Sequence, residues 1–360
     1  MSGQGVLGRV RDEIRAMKAY KVPPSPPPLV LDANESPWPL PDEARRRIAE
    51  AVAAIEFQRY PEIEAHALRA ALARRAQGRP DELVIGIGSD EVIGVLCTAL
   101  ARPGAKVLVP EPTFSMFAHS ARVAGLTPVG VPLDADFRLD VPAMEAAIEK
   151  ERPALCFLAT PNNPTGNAHS DDALEAIVRA MPDGLVVIDE AYAPFSGRSL
   201  AHWVDRFENV GVMGTLSKIG LAAARIGWIR VRPELALELD KVRLPYDLPA
   251  PTQVIGALAL GELGGVMDAH VAAIVAERAR LGAALAARGM RVHPSDANFF
   301  LVSHARAGEI HEGLEARGVR VRAFGAHPRL GSHLRVTVGT PAQDDALLAA
   351  LDATLATLGV

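Results

Sequence analysis

Between about residues 41 and 231 the chain alternates two hydrophobic patterns. Apolar residues recur at helical spacing near 42–56, 62–76, 90–101, 114–124, 141–150 and 171–180. Between these stretches stand short runs that are almost wholly apolar: KVLVP, TPVGVPL, ALCFLAT, GLVVIDE, NVGVMGT and IGWIRV. A strand that is apolar at every residue must be covered on both faces. Such strands alternating with helices predict an α/β fold with a mainly parallel sheet and helices on each side. In sheets of this kind a ligand sits beyond the carboxyl ends of the strands. Polar residues that directly follow the apolar runs are therefore the candidates for chemistry.

The pattern changes at both ends. Beyond Pro233, alanine-rich helical stretches at about 234–243 and 251–286 lead to the short strands NFFLV, VRVRAF and HLRVTVG, and a helix over 341–357 closes the chain. That predicts a smaller α+β domain. At the start, a helix over about 6–17 precedes VPPSPPP (residues 22–28), which can be neither helix nor inner strand. The reading is an extended arm over residues 1–40, packed on the small domain or on a second subunit. A large domain would then span 41–245 and a small one 246–360.

Composition narrows the function. A chain of 360 residues, 49% hydrophobic and 22% charged, is an ordinary globule too long for one simple core. The net charge of -5, with no stretch that concentrates basic residues among aromatics, argues against nucleic acid and against a membrane surface. The first residues carry both signs of charge and no apolar core of a signal peptide, and no apolar stretch is long enough to span a bilayer; a cytoplasmic protein is expected. Cys97 and Cys156 lie in apolar runs and form no CxxC, so they read as buried thiols in a reducing compartment. The histidines form no HExxH or other close pair, and no metal site is expected.

Four segments beyond the apolar runs carry candidate chemistry. In GIGSDEVIG, two glycines end a strand-like run, and Ser89, Asp90 and Glu91 open a helix whose first N–H groups suit an anion. A third glycine is missing, so this is not a dinucleotide fingerprint. An ordinary helix cap is an equal reading. ATPNNPTGN places two adjacent amides, including Asn163, in a tight turn at a strand end. In VVIDEAYAPF, Asp189 ends an apolar run with Tyr192 three residues on. A carboxylate there stays ionised only against a cation or a donor. In GTLSKIGLAAARIG, Lys218 stands among Thr215, Ser217 and Arg225: an amine beside a phosphate cup. Burial or a neighbouring cation makes such a lysine able to form a Schiff base.

Together these motifs resemble the aspartate-aminotransferase-like superfamily, the fold type I enzymes that use pyridoxal 5′-phosphate (PLP), and the resemblance covers nearly the whole chain. It implies that Lys218 holds the cofactor and shuttles the substrate proton, and that Asp189 keeps the pyridine nitrogen protonated. Tyr192 and Asn163 would bond to the ring's phenolic oxygen. Ser89, Asp90, Glu91, Thr215, Ser217 and Arg225 would hold the phosphate, and Phe114, in EPTFSMF, would stack on the ring.

LDANESPWPLP, QRYPE and HLRVTVGT resemble, more narrowly, the histidinol-phosphate aminotransferases. That likeness implies substrate contacts from Tyr20, Asn34, Arg322 and Arg335, and a homodimer in which Tyr60 reaches the partner's cofactor phosphate. Guanidinium groups suit both the carboxylates of glutamate and the phosphate of histidinol phosphate. Two departures stand out: one residue fewer between Lys218 and Arg225 than many relatives have, and Asn-Glu-Ser-Pro at 34–37 instead of Asn-Glu-Asn-Pro. An aromatic amino acid aminotransferase and a PLP-dependent decarboxylase of phosphorylated amino acids share most of these motifs and remain alternatives.

Overall fold

The computed structural model describes residues 5–19, 27–102, 104–325 and 327–359. Tyr20 and most of the proline-rich stretch lie outside them. The strands are β1 (Leu29–Val30), β2 (Leu83–Ile87), β3 (Lys106–Glu111), β4 (Thr127–Pro132), β5 (Leu155–Ala159), β6 (Leu185–Asp189), β7 (Val210–Thr215), β8 (Ile226–Arg230), β9 (Arg291–Val292), β10 (Phe299–Ser303), β11 (Val319–Arg320), β12 (Arg322–Ala323) and β13 (His333–Thr337).

Seven strands form one sheet in the order β2-β8-β7-β6-β5-β3-β4. Its pairs are parallel except for the two made by β8, which runs against both β2 and β7. The mainly parallel sheet expected from the apolar runs is therefore present. Each run supplies two cores by simple alternation. In β5, Cys156 and Leu158 join Leu108, Val186, Ile188 and Val212 on one face. Leu155 and Phe157 join Val107, Val109, Val187 and Met213 on the other. Both cysteines are fully buried, and burial alone pushes their thiols up, Cys97 to about 12.

The helices over 42–53, 66–75, 89–99, 116–123, 141–151 and 171–180 match the expected amphipathic stretches to within a few residues. Local chemistry sets several starts. The side chains of Asp140 and Ser170 accept the N–H groups of Ala143 and Ala173, and Thr340 and Gln343 form a reciprocal capping box for Pro341–Leu358.

Three expectations are corrected. The helix expected over 6–17 is a 3-10 segment, Gly5–Arg9, and a separate short helix, Asp12–Arg15. The single helix expected over 251–286 is two, Ala250–Leu260 and Gly264–Ala286, bent by 73°. Gly261, Gly264 and Gly265 fall at the break, where each glycine costs about 1 kcal/mol relative to alanine inside a helix. VRVRAF is not one strand. Its halves are β11, which pairs with β1, and β12, which pairs with β13. No single helix among the described residues is long and apolar enough to cross a membrane.

The second sheet has the order β12-β13-β10-β9, and the β1–β11 ladder brings residues after the proline stretch against the same part of the chain. Leu31 continues this contact, donating to Arg320 and accepting from Thr337 through the main chain.

One buried pair makes this part of the fold sensitive to pH. Asp344 has no exposed surface; its Oδ1 accepts the Gly339 N–H at 2.9 Å. Burial, and then the Glu277 carboxyl facing it, push its pKa up, against the Gly339 bond and the more distant Arg280. The folded state thus retains a proton that the unfolded chain has released, so stability falls as pH rises from the ordinary carboxyl range through the raised folded value. Asp344→Asn keeps the acceptor for Gly339 and carries no charge. It is expected to flatten the decline of the thermal midpoint between about pH 5 and about pH 8, measured by calorimetry; a decline as steep as in the parent would contradict this.

Candidate active site

The one reversed strand explains how the site is assembled. The carboxyl ends of β2, β3, β5, β6 and β7 share one rim of the sheet, and antiparallel β8 brings its amino end to the same rim. Arg225, just before β8, therefore meets Ser89, just after β2.

Asp189 ends β6 and is only 5% exposed. Its Oδ1 accepts the Ala191 N–H at 2.9 Å. Burial pushes its carboxyl up to about 6; the Ala191 bond and the charge of Lys218 pull the other way. The adjacent Glu190 turns elsewhere and accepts the Ser199 hydroxyl at 2.7 Å. Lys218 lies in the 3-10 turn Ser217–Ile219 that follows β7. It is half-buried, its Nζ donates to the Ala33 carbonyl at 3.4 Å, and it lies 5.8 Å from the centre of the Tyr192 ring. Tyr192 is buried edge-on against Phe299, and its hydroxyl oxygen accepts the Asn34 amide at 2.9 Å.

The anion cup is built from a helix start, two hydroxyls and a guanidinium. Ser89–Ala99 begins after Gly88, whose φ of +79° and proximity to Arg225 both require glycine: a Cβ there would lie 2.5 Å from Arg225 Nη2. A Cβ on Gly227 would lie 2.1 Å from the Ser89 nitrogen, so β8 can press against the helix start only because that residue is glycine. Arg225 itself is left-handed, with φ of 53°, and its Nη2 is 3.3 Å from Asp90 Oδ2. The Thr215 hydroxyl donates to the Ile226 carbonyl at 3.0 Å and accepts the Ser217 N–H at 3.1 Å, with the Ser217 hydroxyl 3.0 Å away. The Glu91 carboxylate folds back onto the Ile87 N–H, which leaves only its backbone facing the cup.

Beyond β3, Phe114 is half-buried, edge-on to Phe117, which stacks on Phe157 at 4.6 Å. The two amides beyond β5 divide their work. Asn162 is fully buried and knits the turn together, donating to the Pro112 carbonyl and Thr165 and accepting from Thr113. Asn163 accepts Arg335 Nη1 at 2.6 Å. Arg335 also donates to the Asp32 carbonyl and lies 5.4 Å from the centre of the Phe299 ring. Directly opposite Arg335 in the β12–β13 ladder stands Arg322, which is exposed. Residues paired across antiparallel strands point to the same face, and like charges so placed repel unless an anion joins them.

Asn34 sits deeper than a substrate contact would. It is 1% exposed; besides Tyr192, its amide oxygen accepts the Thr337 hydroxyl at 3.1 Å, and its carbonyl accepts Asn298 at 3.0 Å. Its amide is spent on holding Tyr192. Thr337 and Asn298 complete this network, and the sequence motifs did not single them out. Thr337 alternates with Arg335 along HLRVT, which is the one signal that could have drawn attention to it. Tyr60 is 80% exposed and stacks on Tyr246 at 4.6 Å.

The family profile of class I and II aminotransferases matches residues 26–351. The chain belongs to this family. Among curated members, the histidinol-phosphate aminotransferase of Chromobacterium violaceum is 45% identical over 95% of this chain and 96% of its own length. Histidinol-phosphate aminotransferase 2 of Cupriavidus pinatubonensis is 44% identical over 96% of each chain. Among solved structures, the histidinol-phosphate aminotransferase of Sinorhizobium meliloti in complex with pyridoxal-5′-phosphate superposes with a TM-score of 0.87, at 27% identity, over 97% of this chain and 98% of that one.

For an aminotransferase of this family the donor set fits PLP on chemical grounds. A half-buried amine, a buried carboxylate and an aromatic ring lie along one rim, and beside them lie a helix start, two hydroxyls and a guanidinium suited to an anion. Gly88→Ala should drive Arg225 out of that cup. We expect PLP affinity, measured by titration of the cofactor-free protein, to fall about tenfold or more with the far-ultraviolet spectrum unchanged. Unchanged affinity would place the phosphate elsewhere.

Proposed function

We propose that this chain is a PLP-dependent aminotransferase that interconverts histidinol phosphate and 2-oxoglutarate with imidazole acetol phosphate and glutamate, a step of histidine biosynthesis. The observation that carries the substrate reading is the Arg322–Arg335 pair on one face of the β12–β13 ladder, beside Asn163 at the rim. Two guanidinium groups can take either the distal carboxylate of glutamate or a phosphate monoester, which this pair of substrates demands. The names of relatives 45% and 44% identical over nearly the whole chain support the same choice.

Each residue then has a defined task. Lys218 would hold the cofactor through its amine and, once released, would take the proton from the substrate's α-carbon and return it. When bound, PLP supplies the electron sink that accepts the pair left on that carbon. Asp189, held ionised by the Ala191 N–H and by a protonated pyridine nitrogen, keeps that sink effective. Tyr192 accepts from Asn34, which leaves its own O–H free to donate to the ring's phenolic oxygen beside Asn163. Phe114 stacks on the ring. The N–H groups of Ser89, Asp90 and Glu91, with Thr215, Ser217 and Arg225, would hold the phosphate; Tyr20, outside the described residues, is proposed as a substrate contact.

The assembly proposed is a cytoplasmic homodimer. Phe57, Tyr60, Ile63, Leu244 and Tyr246 are exposed apolar side chains, which a second copy would cover. Tyr60 would then reach the partner's cofactor phosphate. The arm (1–40), large domain (41–245) and small domain (246–360) are the proposed division.

Two experiments test this reading. Adding histidinol phosphate to the PLP-loaded protein should convert its visible absorption to that of the amine form of the cofactor, and 2-oxoglutarate should restore it; Lys218→Ala should show neither change. Conversion by phenylalanine or tyrosine but not by histidinol phosphate would defeat the substrate assignment. The second uses the raised Asp189. Below about pH 6 its carboxyl is neutral and offers no charge to a pyridinium, so PLP affinity should fall as pH is lowered from about pH 8 to about pH 5. Asp189→Asn should bind PLP with a weaker pH dependence and transfer amino groups at least about a hundredfold more slowly. An identical pH dependence in the variant would remove Asp189 from the cofactor.

A further inference from the structure

The segment between β12 and β13 leaves its own sheet and lies against the large one. Leu330 is buried in the core that covers one face of the large sheet, with Leu108, Val131 and Leu133, and Phe324 packs on the same cluster. Next to Leu330, the half-buried Arg329 reaches across to the main chain of the large sheet's rim. Its Nη1 donates to the Leu133 carbonyl at 2.6 Å and to the Glu111 carbonyl at 3.3 Å. Its Nη2 donates to the Asp134 carbonyl, and the guanidinium lies 5.2 Å from the centre of the Phe137 ring.

A planar fork on three carbonyls and an aromatic face is a directional contact, not a generic surface charge. What it joins is specific. Glu111 is the last residue of β3, and Phe114 follows three residues later. The two ends of the Arg329 segment are the strands that carry Arg322 and Arg335. Leu330 and Phe324 would keep the segment on the large sheet without Arg329, but apolar contact alone does not fix the rotation of a loop.

We propose that Arg329 is a positioning residue for substrate binding: it fixes the distance and angle between the Arg322–Arg335 pair and the rim that carries Phe114 and Lys218, and so sets how tightly both anionic substrates are held. This rests on the proposed transaminase reading and deepens it. The contacts of Arg329 are with main-chain carbonyls and the Phe137 ring, so it would act through the hairpin.

The test uses the PLP-loaded enzyme and Arg329→Gln and Arg329→Lys. With Arg329→Gln, KM for histidinol phosphate and for 2-oxoglutarate should both rise about tenfold, because a small misplacement of a shared anion site is felt by both. The kcat value should stay within about threefold and PLP affinity should be unchanged. Arg329→Lys keeps the charge and part of the carbonyl contact and should fall between. Wild-type KM values in both variants, with only a lower thermal midpoint, would overturn the proposal, as would a loss of PLP affinity in step with KM. The half-reaction with glutamate is measured separately. If the parent protein does not use histidinol phosphate, the substrate assignment fails, while the glutamate and 2-oxoglutarate values still report on Arg329.

Discussion

A carboxyl group at the end of an inner strand, 5% exposed and raised toward neutrality, is the constraint around which the site is organised. Asp189 can hold a charge there only if donors and cations face it. The Ala191 N–H is one and the Lys218 ammonium another, and a protonated heterocycle would be a third. Everything else on the rim follows from serving that arrangement. Tyr192, one turn on, is held by Asn34. The candidate anion cup lies across β7 and β8, and the aromatic ring of Phe114 comes from the opposite side, beyond β3.

The topology makes this convergence inexpensive in chain length. Parallel strands deliver their carboxyl ends to one edge, and reversing β8 alone adds a residue from an amino end to the same edge. Arg225 could not reach the start of the Ser89 helix from a parallel β8. Two glycines enforce the closeness: Gly88, in a left-handed conformation under the guanidinium, and Gly227, where no side chain fits against the helix start. Local backbone chemistry and sheet topology thus specify the same anion site, the kind of agreement between levels that marks a well-determined fold.

Much of this was legible in the chain. The large-sheet strands are apolar at consecutive positions because both faces are covered, and the residues flagged as chemical directly follow them. Less legible was whatever depends on partners far away in sequence. Nothing in NES at 34–36 says that the Asn34 amide is consumed by Tyr192 and Thr337; that follows from the β1–β11 ladder, which carries the chain's beginning to its end. VRVRAF reads as one alternating strand, yet its halves join different ladders, because Arg320 meets the arm while Arg322 meets Arg335. Likewise Glu91 looks like a third cup residue by position, but its side chain turns back to accept the Ile87 N–H.

The Arg322–Arg335 pair shows why such long-range features carry function. Two guanidinium groups directly across an antiparallel ladder repel each other, and a fold selected for stability alone would have no reason to place them there. Part of the cost is offset within the chain, since Arg335 is bonded to Asn163 and the Asp32 carbonyl and packed on Phe299. Those bonds orient it through two uncharged oxygens. Under the proposed function, an anion bridging the two arginines would relieve that repulsion, favouring substrates that bring negative charge to both. In that reading the pair would act as a selector for dianionic or phosphorylated ligands, and it could do so only while the hairpin that carries it is held at a fixed distance from the rim.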